Sequence, residues 1–314
     1  MSQRAFRGVF TIPSTPFTAD GSIDWADMRR VIDFCVGCGA HGIVWPVNAS
    51  SFFALTDAER LAGMRVMVEH TAGRVPVILG VQGVSDAHAA MFSARAAELG
   101  ADGVIAMAPY VQELEDDAAV LRYFRAIDAA VEQPIIVQNH TRGMVFDAAM
   151  LARLVDQIEH VEYIKEEAFP ATHRLTAALA ACGPKLKGVF GGAGGRYLLL
   201  EHRRGVAGQM PGCHVTDVVV RLWNALEAGD RREAKRIYGR LAPLFALETL
   251  KGTYYPEVLR RRQVITSACS RQTVNHPSRD AADDEALDDI LQDLEVLFTW
   301  REKPLLYGSA AHLK

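Results

Sequence analysis

Seven residues, Val161-Glu162-Tyr163-Ile164-Lys165-Glu166-Glu167, combine the ingredients of amine chemistry. Val161 and Tyr163 alternate with the Lys165 position, so the lysine stands where an apolar strand runs out, and two acids follow it. Burying an amine disfavours its charged form. A neutral amine attacks ketones and forms a Schiff base. A lysine at a strand end can equally lay its stem along the strand and keep its head in water. The elements around the stretch decide between these two uses.

Those elements repeat. Short apolar strands are expected at Gly8–Pro13, His41–Val47, Val75–Val81, Gly103–Pro109, Pro134–Asn139, Val161–Glu167, Leu186–Phe190 and Gly205–Met210. Helices are expected at Asp24–Gly39, from Thr56 onward, from Ser85 to Gly100, and at Asp116–Val131, Asp147–Ile158, Ala171–Cys182, Gly194–Arg203 and Val215–Ala228. Thr56 and Glu59 read as a capping box. Continuous apolar strands of this kind are buried on both faces, as in parallel sheets. Eight even strand–helix units predict an α/β fold, a (β/α)8 TIM barrel, with a doubly wound sheet as the alternative. The division expected is a barrel catalytic domain over residues 1–228 and a C-terminal helical extension over 229–314. The extension should hold helices at Arg231–Ala246, Tyr255–Ala268 and Asp283–Trp300, with Arg271–Asp280, including Pro277, as a loop.

Composition narrows the function. The chain has 314 residues and a formal net charge of −4, and its basic residues are scattered. The one dense run, Arg260-Arg261-Arg262, reads as a solvated helix face, so no nucleic acid is expected. No apolar run reaches the length of a membrane span, and no signal-peptide core follows Met1-Ser2-Gln3-Arg4, so no membrane partner and a cytoplasmic location are expected. The five cysteines are too few and odd in number for a disulfide framework. Cys35 and Cys38 form a CxxC at the end of an apolar helix, which reads as core packing rather than zinc or redox chemistry.

A barrel carries its active site at the C-terminal ends of its strands. Those ends hold Asn48-Ala49-Ser50-Ser51, Gln82, Tyr110, Gln138-Asn139-His140, Lys165-Glu166-Glu167, Gly191-Gly192 and Met210-Pro211-Gly212. Lys165 is the only lysine in this ring, which favours the catalytic use. The ring is poor in His and Asp, so neither a metal nor another cofactor is expected. Gly188, Gly191, Gly192, Gly194 and Gly195 suggest a phosphate cradle, but their spacing is not a P-loop and no GK[ST] follows. They read as a tight loop before the seventh helix.

With these residues placed, the sequence resembles the dihydrodipicolinate synthase / N-acetylneuraminate lyase family of class I aldolases. The resemblance rests on Gly8-Val9-Phe10, Thr15-Pro16-Phe17, Asp20-Gly21, Gly73 to Ile78, Leu99 to Gly103, Pro109-Tyr110, Pro134-Ile135-Ile136, Tyr163 to Glu166 and Gly205 to Gly208. It implies a TIM barrel with a helical extension, a homo-oligomer (a dimer, or a tetramer of dimers), and an imine between Lys165 and pyruvate or another small-molecule 2-oxo acid. The family's carboxylate-gripping Gly-Thr-Thr-Gly-Glu run falls at Val47 to Ser51. Its proton-relay tyrosine falls at Gln138, and a second tyrosine falls at Val111. Glutamine cannot shuttle protons as a phenol does. The strand-5 Val-Gln pair, Asn-x-Ser after strand 2, and an acid two residues past the lysine resemble the L-2-keto-3-deoxyarabonate dehydratase branch. Gly191, Gly192 and Ala193 stand where sialate lyases carry acids for sugar hydroxyls, which implies a short substrate with few hydroxyls.

The expected site therefore has Lys165, Glu167 and Gln138 as catalytic residues. Asn48, Ala49, Ser50, Ser51, Asn139, His140, Gly192 and Met210 are the expected substrate-binding residues. Strand alternation puts Glu167 on the face of Lys165 and turns Glu166 away. The expected function is a Schiff-base lyase that dehydrates a 2-keto-3-deoxy sugar acid, or a related deaminating elimination. The alternatives are a pyruvate aldolase or dihydrodipicolinate synthase-like enzyme, and a protein that binds 2-oxo acids without turnover.

Overall fold

A computed structural model of the chain describes residues 5–250, 254–271 and 279–308. Met1 to Arg4 and most of the expected Arg271–Asp280 loop, Pro277 included, lie outside the described residues. Eight parallel strands close into one barrel in chain order: β1 (Gly8–Thr11), β2 (Gly42–Trp45), β3 (Val77–Gly80), β4 (Gly103–Ala106), β5 (Ile135–Asn139), β6 (Val161–Glu166), β7 (Gly188–Gly191) and β8 (Gly208–Gln209). The outer helices are α1 (Trp25–Gly37), α2 (Asp57–Thr71), α3 (Asp86–Leu99), α4 (Asp117–Asp128), α5 (Ala148–Gln157), α6 (Ala171–Ala181), α7 (Leu198–His202) and α8 (Thr216–Glu227). The chain is thus a (β/α)8 TIM barrel.

Strand alternation sorts the side chains into two cores. Inside the barrel pack Phe10, Ile12, Val44, Ile78, Ile105, Ile136, Tyr163 and Phe190. Between barrel and helices lies the larger core, with Val104, Val137 and Ile164 from the outward faces of the strands. Side-chain oxygens start most helices. Asp24, Ser85, Asp116 and Asp147 each accept from a backbone N–H of the first turn. The Thr56–Glu59 capping box forms as expected, with Thr56 N donating to Glu59 Oε2 at 2.9 Å and Glu59 N donating to Thr56 Oγ1 at 3.2 Å. Cys35 and Cys38 are buried in the helix–barrel core.

Three expected helices are shorter than the sequence suggests. The seventh is a 3₁₀ turn, Ala193–Gly195, followed by the five-residue α7. Gly194 and Gly195 have φ of 70° and 96°, a left-handed backbone that a continuous helix cannot absorb. After α9 (Arg231–Leu247), α10 spans Tyr254–Arg261 rather than continuing to Ala268, and Gln263 turns left-handed just beyond it. The last helix, α11, is Ala281–Glu295 rather than Asp283–Trp300, and Asp280 with Asp283 forms its capping box.

The arginine run corrects the sequence reading most sharply. Arg260, Arg261 and Arg262 are all buried. Arg260 pairs with Glu257 at 2.7 Å. Arg261 bonds Glu257 at 2.8 Å and Asp284 at 2.7 Å, and also Asp288. Arg262 makes a fork on Asp217, at 2.9 and 2.6 Å, donates to the His214 carbonyl, and lies over the rings of Phe34 and Phe298. These bonds fasten α10 to α8 and α11. A charge stripped from such a network leaves its partner buried alone. Arg262→Ala is expected to lower unfolding stability by about 3–5 kcal/mol in urea titration, because Asp217 then keeps only backbone donors, from Thr299, Trp300 and Val218. The double variant with Asp217→Asn should recover part of that loss.

Candidate active site

Lys165 and Glu167 extend from β6 into the C-terminal mouth of the barrel. Two residues apart on an extended strand, they share a face, and Lys165 Nζ lies 3.0 Å from Glu167 Oε2. Lys165 is 1% exposed. Gln138 is the register partner of Lys165 on β5, and its Nε2 donates to Glu167 Oε2 at 2.6 Å. Ala193 N reaches Glu167 Oε1 at 3.3 Å. Burial alone would push the Glu167 carboxyl up. The charge of Lys165, His140 and the Gln138 hydrogen bond outweigh it and hold the carboxyl below its ordinary range.

Gly192 does not line the cavity around Lys165. A Cβ there would stand 2.2 Å from Glu167 Cγ, so glycine admits the carboxylate. His140 Nδ1 accepts from the Arg142 N–H at 2.8 Å, capping its own loop, and burial lowers its pKa. Arg142 lies over the Phe53 ring, and Tyr110 packs edge-on against Phe52. Val111 is exposed.

The loop after β2 supplies polar atoms without protein partners. Asn48 has both amide atoms buried and unbonded, and the buried Ser50 hydroxyl is likewise unbonded. Gln138 Oε1 joins them. Such a concentration of unsatisfied groups is what a polar ligand would relieve. A cavity of about 270 Å³ opens there, lined by Asn48, Ala49, Lys165, Glu167 and Met210 among others. Ser51 sits between two 3₁₀ turns with φ 59°. A larger hollow of about 770 Å³ at the opposite end is lined by Phe6, Phe10, Pro76 and Trp223. Barrels carry stability there rather than chemistry.

Asn139, expected to bind substrate, turns out of the barrel instead. It brackets Phe146 with two backbone bonds, at 2.9 and 2.8 Å, and gives Nδ2 to Glu166 Oε2 at 2.8 Å. Glu166 also accepts from Ala168 N at 2.8 Å and faces Arg174. Burial lifts Glu166 to about 7. This outward network locks β5 to β6 behind Lys165.

Sequence reasoning also missed several groups. Glu201 on α7 is fully buried, and its carboxyl meets Gln209 Oε1 around the bare face of Gly191. Burial raises Glu201 to about 8. Arg196, Glu248 and Tyr255 line the same cavity as Lys165. None stands at a strand end, so nothing local marks them. Among the described residues, no three His, Cys, Asp or Glu side chains gather as a metal would require. No described helix is long and apolar enough to cross a membrane.

Fold and site together define a barrel whose strand-6 lysine faces a carboxylate in a polar pocket, an arrangement of the lyase class. A profile of the dihydrodipicolinate synthetase family matches residues 5–292, and the chain belongs to that family. It is 33% identical over 241 residues to the L-2-keto-3-deoxyarabonate dehydratase of Azospirillum brasilense, covering 76% of this chain and 78% of that one. It is 30% identical over 245 residues to the 4-hydroxy-tetrahydrodipicolinate synthase of Nitrosococcus oceani, covering 77% and 82%. The crystal structure of YagE from Escherichia coli K12, a member of the dihydrodipicolinic acid synthase family in complex with pyruvate, superposes with a TM-score of 0.85 at 23% identity, over 94% of this chain and all of that one.

The raised acids give a pH prediction. Glu201 and Glu166 keep their protons in the fold up to about 8 and 7, whereas in the unfolded chain both ionise near 4.3. Between those values the fold holds more protons than the unfolded chain, so stability falls as pH rises through that window. Glu201→Gln should flatten the fall between pH 5 and 8, with its largest gain at pH 8, in denaturant titrations at a series of pH values.

Proposed function

We propose that the chain is a Schiff-base hydro-lyase that dehydrates a short 2-keto-3-deoxy sugar acid on Lys165. The observation that carries this reading is the Lys165–Glu167 pair, held by Gln138 where the family's phenol would stand. The likeness to an L-2-keto-3-deoxyarabonate dehydratase supports it.

Within the pair, Glu167 takes a proton from Lys165. Once the lysine is neutral, the cation that held the carboxyl down is gone, and burial favours the protonated acid. The free amine adds to the C2 ketone, and the former ketone oxygen leaves as water with the proton held by Glu167, which gives the iminium and restores the carboxylate. The iminium draws electrons from C3, whose proton passes to the carboxylate of Glu167. The enamine expels the C4 hydroxyl, which leaves as water with the proton Glu167 returns. Loss of a C5 proton, return of a proton to C3 and tautomerisation of the resulting C4–C5 enol to the aldehyde, followed by hydrolysis of the imine, release a 2,5-dioxo acid and free Lys165. The loop of Asn48, Ala49, Ser50 and Ser51 is assigned the C1 carboxylate: Asn48 and Ala49 line the cavity, and Asn48 and Ser50 offer unbonded polar atoms. Gln138 orients Glu167 and carries no proton itself. Met210 lines the pocket beside them, and His140 is near enough for its charge to act on Glu167.

A carbon–carbon lyase acting on the same imine is the second reading, favoured by the synthase relative. Products separate the two. Incubation with a 2-keto-3-deoxypentonate should yield a 2,5-dioxo acid and no pyruvate. Pyruvate with an aldehyde would establish the aldolase instead. Glu167→Gln, which keeps the shape and loses the proton acceptor, should lower kcat about 10²–10⁴-fold in the same assay.

A further inference from the structure

Part of the lining of the cavity that holds Lys165 is not made by strand ends. It comes from the C-terminal extension and the loop after β7. Tyr255, on the first turn of α10, and Glu248, just after α9, meet over Gly194, where a Cβ would lie 3.1 Å from Tyr255 Oη and 3.4 Å from Glu248 Oε2. Both line the same cavity as Lys165.

The carboxylate is fixed from behind. His214, which is 1% exposed, bonds Glu248 Oε1 through Nε2 at 2.7 Å. The Glu248 side chain is 4% exposed, and its second oxygen, Oε2, is buried without a hydrogen-bond partner. His214 also stacks on the Tyr255 ring, with centroids 4.3 Å apart and planes 15° from parallel. The Arg262 bond to the His214 carbonyl ties this group to the buried arginine network. The loop after β7 itself carries no acid, but the extension brings one to its surface.

We infer that Tyr255 and Glu248 form a subsite for the far end of the substrate, and that it recognises a terminal hydroxyl. The inference rests on the proposal that a 2-oxo acid is held at Lys165. The chemistry of the pair points to a hydroxyl, which can donate to Glu248 Oε2 and accept from Tyr255 Oη at once. A methyl would leave Oε2 buried and unpaired. A second carboxylate would face that oxygen with like charge, although Arg196 on the same wall is a cation. The subsite therefore selects hydroxyl-terminated 2-oxo monocarboxylates over 2-oxo dicarboxylates.

Three five-carbon ligands that differ only at C5 test this: 2-oxopentanoate, 5-hydroxy-2-oxopentanoate and 2-oxoglutarate. Their affinities are measured by calorimetry on the full-length protein. Wild type should bind the hydroxy acid about tenfold or more tightly than either of the others. In Tyr255→Phe and Glu248→Gln the preference over 2-oxopentanoate should shrink several-fold, and Glu248→Gln should narrow the gap to 2-oxoglutarate. Each ratio is taken within one variant, so a general loss of folded protein cancels. No preference in wild type, a preference that survives both substitutions, or tightest binding of 2-oxoglutarate would overturn the inference. Borohydride reduction reads the imine at Lys165 separately. A protein that binds the hydroxy acid selectively yet traps no ligand keeps the subsite and loses the lyase reading.

Discussion

A lysine amine and a carboxyl group 3.0 Å apart, sealed in the mouth of a closed barrel, set the terms for the surrounding structure. Neither group is tolerable there alone, since an unpaired buried charge costs several kcal/mol. Two residues of extended chain bring them to one face. Gln138 donates to the same oxygen of Glu167, Ala193 N reaches the other, and Gly192 leaves the room that the carboxyl occupies. On the other face of the same two strands, Asn139, Glu166 and Arg174 make a second polar network around the Phe146 carbonyl. Register between β5 and β6 is thereby fixed from both sides, and with it the place of the amine.

The extension solves a different problem. A barrel of short strands ends in loops, and loops alone hold side chains loosely. Here the far wall of the pocket is carried by α10, which buried arginine–carboxylate contacts fasten to α8 and α11. Burying three guanidinium groups is costly, so stability by itself is a weak reason for them. Their directional bonds do fix one orientation of α10. That orientation sets Tyr255 against His214 and over Gly194.

The barrel was legible because its signals are local and repeated: eight apolar runs, capping oxygens before helices, and one lysine among the strand ends. The same two-residue period that pairs Lys165 with Glu167 separates Gln138 from Asn139, so only one of those neighbours could face into the barrel mouth. Which one required knowing the β5–β6 register. The arginine run looked solvated because its partners Asp217, Asp284 and Asp288 are distant in sequence. Glu201, Glu248 and Tyr255 were missed for a related reason. They reach the barrel mouth from helices and turns, where periodicity reports burial but not which cavity a side chain borders.

The most direct measurement is intact-protein mass after borohydride reduction in the presence of pyruvate, on wild type and on Lys165→Ala. An imine at Lys165 predicts one reduced pyruvyl adduct on wild type, located by peptide mapping to the β6 lysine, and none on the variant. An adduct that persists in Lys165→Ala would place the chemistry elsewhere. No adduct with pyruvate or any larger 2-oxo acid would contradict amine catalysis and leave the polar pocket as a binding site alone.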